Sequence, residues 1–296
     1  MAIATALITS IMMLACGTLP AESTPWSAQR SDFRERDEFN QTYQLPAGTR
    51  VDVSSIRGPV EITSGDGATA EVKIVRSART RADLEYHKIA VEQSGSSLVI
   101  KGIQEPEGRR DRNIQVDHHV VLKLPRRVDV SVTSVSGSVK LADIDGQMNV
   151  KSISGSADIG NIGGRLEITS ISGSVEVGNI GGDAKVMSIS GNLHLGQVNG
   201  ALEVQSVSGG VTATLLSLSP EGIQIKSVSG SIEMGFKSEV NADFRADSIS
   251  GQVHIDMPNV VRDSETKEPN VRARIGSGGT PITIFSVSGN IRLKQS

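Results

Sequence analysis

Apolar and polar residues alternate in short runs through the second half of the chain, and the runs recur at a fixed interval. The motif Ser-Val-Ser-Gly or Ser-Ile-Ser-Gly ends at Gly137, Gly155, Gly173, Gly191 and Gly209, a spacing of 18 residues. A second turn signal, such as Asn-Ile-Gly-Gly, lies midway and ends at Gly146, Gly164, Gly182 and Gly200. Each repeat therefore predicts two short strands and two turns.

The apolar residues occupy six equivalent places in each repeat. In the first repeat these are Val139, Leu141, Ile144, Met148, Val150 and Ile153, and we expect all six to face a core. A nine-residue unit cannot bury its apolar face alone, but stacked units form continuous ladders and pair their backbones. The pattern predicts an all-β fold, a parallel β-solenoid (β-helix) with two short strands per 18-residue coil.

Later copies of the motif are spaced unevenly, ending at Gly230, Gly251 and Gly289. The largest insertion, residues 258–281, carries the cations Arg262, Lys267, Arg272 and Arg274. Insertions in repeat proteins collect on one edge, which is often the binding edge, so these four residues are the candidate binding edge. The alternative is a solvated excursion or a flap that caps the last coils.

The region before the regular array has a weaker pattern. Residues 129–296 form the predicted repeat array, and residues 40–128 form a β-rich N-terminal cap. Within the cap, Val51 to Ile62 match the phase of one coil, Arg81 to Tyr86 favour a helical turn, and Glu105 to Arg112 favour an exposed loop. Such a cap covers the open sheet edge, which otherwise attracts other strands.

The first residues indicate export. Met1 to Ala15 are almost wholly apolar and too short to span a bilayer, so residues 1–21 are predicted to be a secretory signal and residues 22–39 a flexible tether. Met13-Leu14-Ala15-Cys16 resembles a lipoprotein box, in which case the signal ends at residue 15 and Cys16 carries a lipid anchor. The alternative is that Cys16 is removed with the signal.

Composition argues against several classes of function. With 30 basic and 33 acidic residues and a net charge of −3, the chain gives no reason to expect a nucleic acid partner. Cys16 is the only cysteine, so no intramolecular disulfide and no thiolate cluster can form.

The search for chemistry finds no catalytic residue, cofactor site or metal site. A nucleophilic serine needs one activated copy with a base, whereas the Ser-x-Ser-Gly serines are repeated and equivalent, so they favour a structural role. His118 and His119 point to opposite faces of a strand, and His118 falls in the buried phase. His194 and His254 occupy outward positions at least two coils apart. We expect the chain not to be an enzyme.

Two strings of the array, Ser-Val-Ser-Gly-Ser-Val and Ser-Ile-Ser-Gly-Ser-Val-Glu-Val, follow a lead-in of Leu45-Pro46-Ala47-Gly48 and Val51-Asp52-Val53. Over residues 40–296 the chain resembles the bacterial putative-adhesin family, a group of domains of unknown function. The resemblance implies a right-handed or closely related β-helical architecture and an exported protein. It implies no catalytic residues.

Three functions are compatible with these observations. The first is an exported, non-enzymatic binding or adhesin-like module of the periplasm, cell envelope or cell surface, whose ligand is a glycan, a membrane or a protein. The second is a scaffold that self-associates by stacking coils end to end, since the last predicted strand, Asn290 to Lys294, has no evident cap. The third is a carbohydrate-active enzyme, which requires a carboxylate cluster.

Overall fold

The structure is a computed structural model that describes residues 33–104, 116–264 and 269–295. Within these residues, strands form two large sheets. The 12-stranded sheet contains β1 (Glu35–Gln44), β3 (Val60–Gly65), β4 (Thr69–Ala78), β7 (Val116–Pro125), β9 (Val139–Leu141), β11 (Ala157–Ile159), β13 (Val175–Val177), β15 (Leu193–Val198), β17 (Val211–Leu215), β19 (Ile232–Phe236), β21 (Val253–Asp256) and β25 (Ile291–Gln295).

The second sheet lies along the other side of the coils. This 13-stranded sheet contains β2 (Thr49–Arg57), β5 (His87–Ser94), β6 (Ser97–Gln104), β8 (Val128–Ser136), β10 (Met148–Ser154), β12 (Leu166–Ser172), β14 (Ala184–Ser190), β16 (Leu202–Ser208), β18 (Ile223–Ser229), β20 (Ala242–Ser250), β22 (Val260–Arg262), β23 (Val271–Ile275) and β24 (Thr280–Ser288). One helix, α1 (Arg81–Tyr86), lies between β4 and β5.

Successive coils stack in register, and the predicted fold class is confirmed. Each coil gives one strand to each sheet, and its neighbours pair in parallel, as Met148 does with Leu166 and Val150 with Ile168. A third ladder of isolated parallel bridges joins Ile144, Ile162, Ile180 and Val198 at the second turn. The two sheets are stacked on each other and do not close into a barrel.

The core is the line of aliphatic side chains enclosed by the coils. Five of the six predicted inward places of the first repeat are confirmed, because Val139, Leu141, Ile144, Met148 and Val150 are all buried. The sixth is wrong: Ile153 is 50% exposed, and Ser152 is buried instead. The strand keeps strict two-residue alternation up to the turn. The next inward residue after Val150 is therefore Ser152, whatever its polarity.

The turn glycines are required by both backbone conformation and space. Gly155 has φ +125°, and a Cβ added there would lie 2.1 Å from the carbonyl oxygen of Gly137 in the preceding coil. The Gly155 N–H also donates to the Ser172 carbonyl of the following coil at 3.1 Å. No other residue type meets the left-handed conformation and this close approach together.

Side-chain oxygens tie the opposite turns together. Asp143 Oδ1 accepts from the Asn161 backbone N–H at 2.8 Å, and Asn161 Oδ1 accepts from the Asn179 N–H at 2.9 Å. Asn179 Oδ1 continues the series by accepting from the Gln197 N–H at 3.2 Å. The hydrogen bonds from Asn161 hold the pKa of Asp143 below its usual range. Each turn thus satisfies a backbone donor of the next.

The last coil along the chain is not the last coil of the stack. Strand β24 pairs with β18 on one side and with β20 on the other, and β25 lies in the same way between β19 and β21. The expectation that the final strand has no cover is therefore wrong. The final coil keeps Ile282, Ile284, Ile291 and Leu293 fully buried between two neighbours, whereas Ile255 of the outer coil stays half-buried.

The inserted segment 258–281 extends the 13-stranded sheet beyond that outer coil. Strand β23 pairs antiparallel with β20, and β22 pairs antiparallel with β23. The segment therefore covers the β20 edge. This arrangement agrees with the alternative in which the insertion is a flap that caps the last coils.

The N-terminal region extends both sheets at the other end of the stack. β2 and β3 form a coil that pairs in parallel with β8 and β9. β7, β4 and β1 then continue the 12-stranded sheet, and β6 and β5 continue the other. Helix α1 begins after Thr80, whose side chain accepts from the Asp83 N–H.

Residues 35–39, assigned to the flexible tether from sequence, belong to strand β1. Arg76 of β4 explains this, because it forms an ion pair with Asp37 and donates to the carbonyls of Leu84 and His87 at 3.0 and 2.8 Å. The predicted signal, the rest of the tether as far as residue 32, and the predicted loop at 105–112 lie outside the described residues. Among the described residues, no helix is long and apolar enough to span a membrane.

Candidate functional site

A row of exposed aliphatic side chains runs along one margin of the 13-stranded sheet. Its members are the middle residues of the Ser-x-Ser-Gly motifs, and we call them the aliphatic ladder: Val135, Ile153, Ile171, Ile189, Val207, Val228, Val287 and Ile249. Seven of them are between 38% and 69% exposed, with the lowest value at Val135 and the highest at Ile249, and Val287 is half-buried. Exposed aliphatic residues are ordinary when scattered, whereas a contiguous row is a candidate contact surface.

The backbone register brings these residues together. Ser152 lies opposite Ser170 and Ser154 opposite Ser172 in the neighbouring strand, so Ile153 and Ile171 between them are neighbours. The same register holds across the array, and adjacent strands are about 4.8 Å apart. Eight residues distributed over more than a hundred positions of sequence thus form one row about 34 Å long.

A second row lies directly beneath the ladder. The serines that precede the ladder residues are buried: Ser134, Ser152, Ser170, Ser188, Ser206, Ser227, Ser286 and Ser248. Their hydroxyls have no hydrogen-bond partner within the described residues. A small side chain suits the narrow inner corner where one sheet turns into the other, and it displaces the larger Ile or Val to the outside. The serine row is therefore the structural counterpart of the ladder.

The sequence contained the signal for the ladder. Strict alternation from Met148 and Val150 places Ser152 inward and Ile153 outward, but the prediction followed apolar identity instead of period. The residue after this serine was assigned to the core from the sequence, but it lies at the surface.

The two margins of the ladder differ in chemistry. On the sheet side, the outward residues two positions earlier are Thr133, Lys151, Thr169, Met187, Gln205, Lys226, Phe285 and Asp247. Met187 and Phe285 widen the apolar surface, and Phe285 is 42% exposed. On the turn side, the ladder is followed by serine and glycine. Asp247, on the outer coil, is the one acidic residue of the sheet-side row and pairs with Arg245 at 2.8 Å.

Three of the four residues of the candidate binding edge lie together at one end of the stack. Arg262, Arg272 and Arg274 line an open groove of about 470 Å³, and β20 adds Arg245, which the sequence analysis did not single out. Acidic neighbours offset this charge, since Asp243 lies 3.7 Å from the Arg274 Nε, and Asp263 also lines the groove. Lys267 lies outside the described residues.

His118 faces inward, as the sequence predicted, and lies beside His87. His118 is buried, and its Nδ1 lies 3.2 Å from the Arg57 carbonyl oxygen. Burial is the main cause that lowers the pKa of His118 to about 4, and the neighbouring His87, Arg76 and Arg57 charges act in the same direction. Burial also lowers the pKa of His87, whose ring centroid lies 6.4 Å from that of His118. This pair belongs to the packing of the N-terminal region.

The described residues offer little for catalysis. Among them, no three His, Cys, Asp or Glu side chains lie close enough to hold a metal ion, and Cys16 lies outside them. Asp158 and Glu176 are paired acidic neighbours on β11 and β13. Both are exposed on an open sheet face, where nothing excludes water from a reacting group.

Solved structures of similar fold come from several bacteria. One is a putative adhesin from Bacteroides fragilis NCTC 9343, at 14% identity and a TM-score of 0.48, covering 87% of this chain and 97% of that one. Another is a putative cell adhesion protein from Clostridium sporogenes ATCC 15579, at 13% identity and a TM-score of 0.36, covering 88% and 100%. A putative lipid binding protein from Parabacteroides distasonis ATCC 8503 has 9% identity and a TM-score of 0.29, covering 87% and 96%.

The family comparison confirms the resemblance found in the motifs. No protein with a curated description matches the sequence. The family model described as Toastrack DUF4097 matches residues 49–294, which include the coil of β2 and β3 and the whole regular array. The chain belongs to the Toastrack DUF4097 family.

Proposed function

We propose that this protein is an exported, non-enzymatic binding module of the bacterial cell envelope that holds its ligand against the aliphatic ladder. The carrying observation is a row of eight in-register Val and Ile residues, seven of them exposed and Val287 half-buried, on a protein that buries most of its other described aliphatic side chains. A contiguous exposed apolar patch on a monomeric protein is often a binding site, whereas singly scattered apolar residues carry no such meaning. A rigid stack holds the row in place without prior ordering of the surface.

Export is supported by the N-terminal sequence. The apolar segment Met1 to Ala15 and the small residues after it suit removal of residues 1–21 or lipidation of Cys16. Either outcome places the folded unit in the periplasm, in the envelope or on the cell surface. A lipid anchor at Cys16 would hold the module at a membrane.

The arginine groove is a secondary part of this proposal. Arg245, Arg262, Arg272 and Arg274 lie at one end of the stack, beside the outer coil that carries Ile249. The neighbouring aspartates leave the groove only weakly cationic, so it would tune ligand choice and not supply most of the affinity.

The scaffold alternative has lost its original support. It rested on an uncovered final strand, and β25 is paired on both sides. Within the described residues, the acidic neighbours Asp158 and Glu176 offer the enzyme alternative two carboxylates, but they lie on an open face. No observation favours either alternative over binding.

The test measures binding of the purified full-length chain to bacterial envelope fractions, with a ladder variant and a matched control. The ladder variant is Ile153→Ser, Ile171→Ser and Ile189→Ser. The control variant is Ile103→Ser and Leu216→Ser, which removes two exposed aliphatic residues that lie outside both the ladder and the arginine groove. We expect binding to fall only in the ladder variant. Equal binding by the ladder variant and the unaltered chain would overturn the proposal.

A further inference from the structure

The width of the aliphatic ladder limits what can cover it. The row is one side chain wide, about 7 Å, and about 34 Å long, so its footprint is roughly 240 Å². A specific protein interface takes about 800 Å² from each partner. The ladder alone is too narrow for a stable interface with a second copy or with another folded protein. A fluid bilayer needs no matching surface, and its binding strength scales with the apolar area that enters it.

The cations beside the ladder favour binding to a negatively charged membrane surface. The sheet-side margin carries Lys151 and Lys226, both exposed, and long ammonium side chains can reach phosphates while their stems lie along apolar groups. No acidic residue stands in this margin on the coils from Val135 to Val287, and Asp247 beyond them is paired with Arg245. The turn-side margin is uncharged.

The position of the row allows all of its members to enter together. The ladder residues follow one another on adjacent strands, immediately before the turns that join the two sheets. Ile189 has Met187 beside it on the sheet, and Val287 has Phe285, so the apolar surface broadens at two coils. An elongated apolar row with cations at its margin combines the two contributions to interfacial membrane binding, buried apolar area and attraction to anionic lipids.

We propose that the aliphatic ladder inserts into the interfacial layer of an anionic lipid bilayer, with Lys151 and Lys226 at the level of the lipid phosphates. This inference rests on the proposed function and names its ligand. The contact needs no opening or rearrangement of the stack, because the row is already exposed.

The first measurement is co-sedimentation of the full-length chain with vesicles of phosphatidylglycerol and phosphatidylcholine in equal parts, and with vesicles of phosphatidylcholine alone. We expect the ladder variant to partition at least about tenfold less than the unaltered chain, since three isoleucine side chains that would enter the bilayer are lost. The control variant should partition as the unaltered chain does. The apolar N-terminal segment is common to all three proteins, so a difference in partition between them is due to the substituted side chains.

Single substitutions provide a second readout that does not depend on the stability of a triple variant. Trp26 is the only tryptophan, so a Trp26→Phe background gives a chain with one reporter. Ile171→Trp should show a blue-shifted emission when the equimolar vesicles are added, and Leu216→Trp, at an exposed site off the ladder, should not. The lysines are tested by Lys151→Gln with Lys226→Gln, which should abolish the preference for anionic vesicles.

The outcomes separate this inference from the proposed function. If the ladder variant loses binding to envelope fractions but partitions to vesicles as the unaltered chain does, the lipid inference is overturned and the binding module stands. If the chain self-associates through the ladder without vesicles, a second copy is the occupant and the lipid inference is again overturned. If neither envelope fractions nor vesicles depend on the ladder, both proposals fail.

Discussion

Ser227 and Ser286 face each other across adjacent parallel strands, although the next Ser-x-Ser-Gly motif after Ser227 along the chain is that of Ser248. Ser286 faces Ser248 on its other side. The final coil therefore occupies the place that sequential stacking would assign to the coil before it. This end of the stack is therefore formed by β20, β21 and the β22–β23 extension, and the chain's last strand lies further inside.

Engineered disulfides test this order directly. Lys226→Cys with Phe285→Cys should form a disulfide under mild oxidation, because the two positions are paired on neighbouring strands about 4.8 Å apart. Lys226→Cys with Asp247→Cys should not, because two strand spacings separate them. Both pairs are made with Cys16→Ser, since Cys16 is the only native cysteine. Peptide mapping by mass spectrometry reads the result, and the reverse pattern would refute the order.

Gly289→Ala should destabilise the protein strongly. Gly289 has φ +135°, and an added Cβ would lie 2.2 Å from the Gly230 carbonyl oxygen in the adjoining coil. We expect the free energy of unfolding in urea to fall by about 2 to 4 kcal/mol. Gly95→Ala is the matched control, because Gly95 also has positive φ but nothing within 4 Å of the added Cβ. It should cost about 1 kcal/mol, and equal losses would contradict the close packing of coils.

Ser188→Ala should stabilise the protein. Ser188 is buried, and its hydroxyl has no hydrogen-bond partner within the described residues. Removing an unsatisfied hydroxyl recovers part of its desolvation cost, so the free energy of unfolding should rise by about 1 kcal/mol. The exposed Ser190 in the same strand serves as the comparison, and Ser190→Ala should change stability by less than about 0.5 kcal/mol. A loss of stability in Ser188→Ala would show that the hydroxyl is bonded.

His118 should make stability fall in mild acid. Its pKa is about 4 in the folded protein against 6.5 for the unperturbed side chain, so the unfolded chain binds a proton more readily. The stability that the neutral imidazole contributes is complete above pH 6.5 and is lost as the pH falls toward 4, with a slope on the order of 1 kcal/mol per pH unit. Urea unfolding between pH 7.5 and 4.5 measures the slope.

The matched variants for this prediction are His118→Gln and His194→Gln. Glutamine at position 118 can still donate to the Arg57 carbonyl but does not titrate, so the slope should decrease. His194 is exposed, and its replacement should leave the slope of the unaltered protein. An unchanged slope in His118→Gln would remove His118 as the cause.

The periodicity was sufficient to predict the coil and most of its core. Val139, Leu141, Met148 and Val150 follow two-residue alternation, and the structure buries each of them. The same rule, applied without regard to polarity, would also have predicted Ile153 to be outward. The candidate site was missed because an isoleucine at a strand end was taken as core. Arg245 was missed because the groove around it forms only when β23 pairs with β20.

The sequence by itself determined the repeat, the parallel stacking, the glycine turns and the inward phase of the strands, because these depend on local geometry that recurs every 18 residues. Only the tertiary structure decided which coil lies beside which at the end of the array. The serines of β18, β20 and β24 present the same pairing pattern, so Ser227 matches Ser248 and Ser286 equally well in sequence. Burial of Ile282, Ile284, Ile291 and Leu293 on both sides is a property of the assembled stack, and it favours the final coil as the inner one.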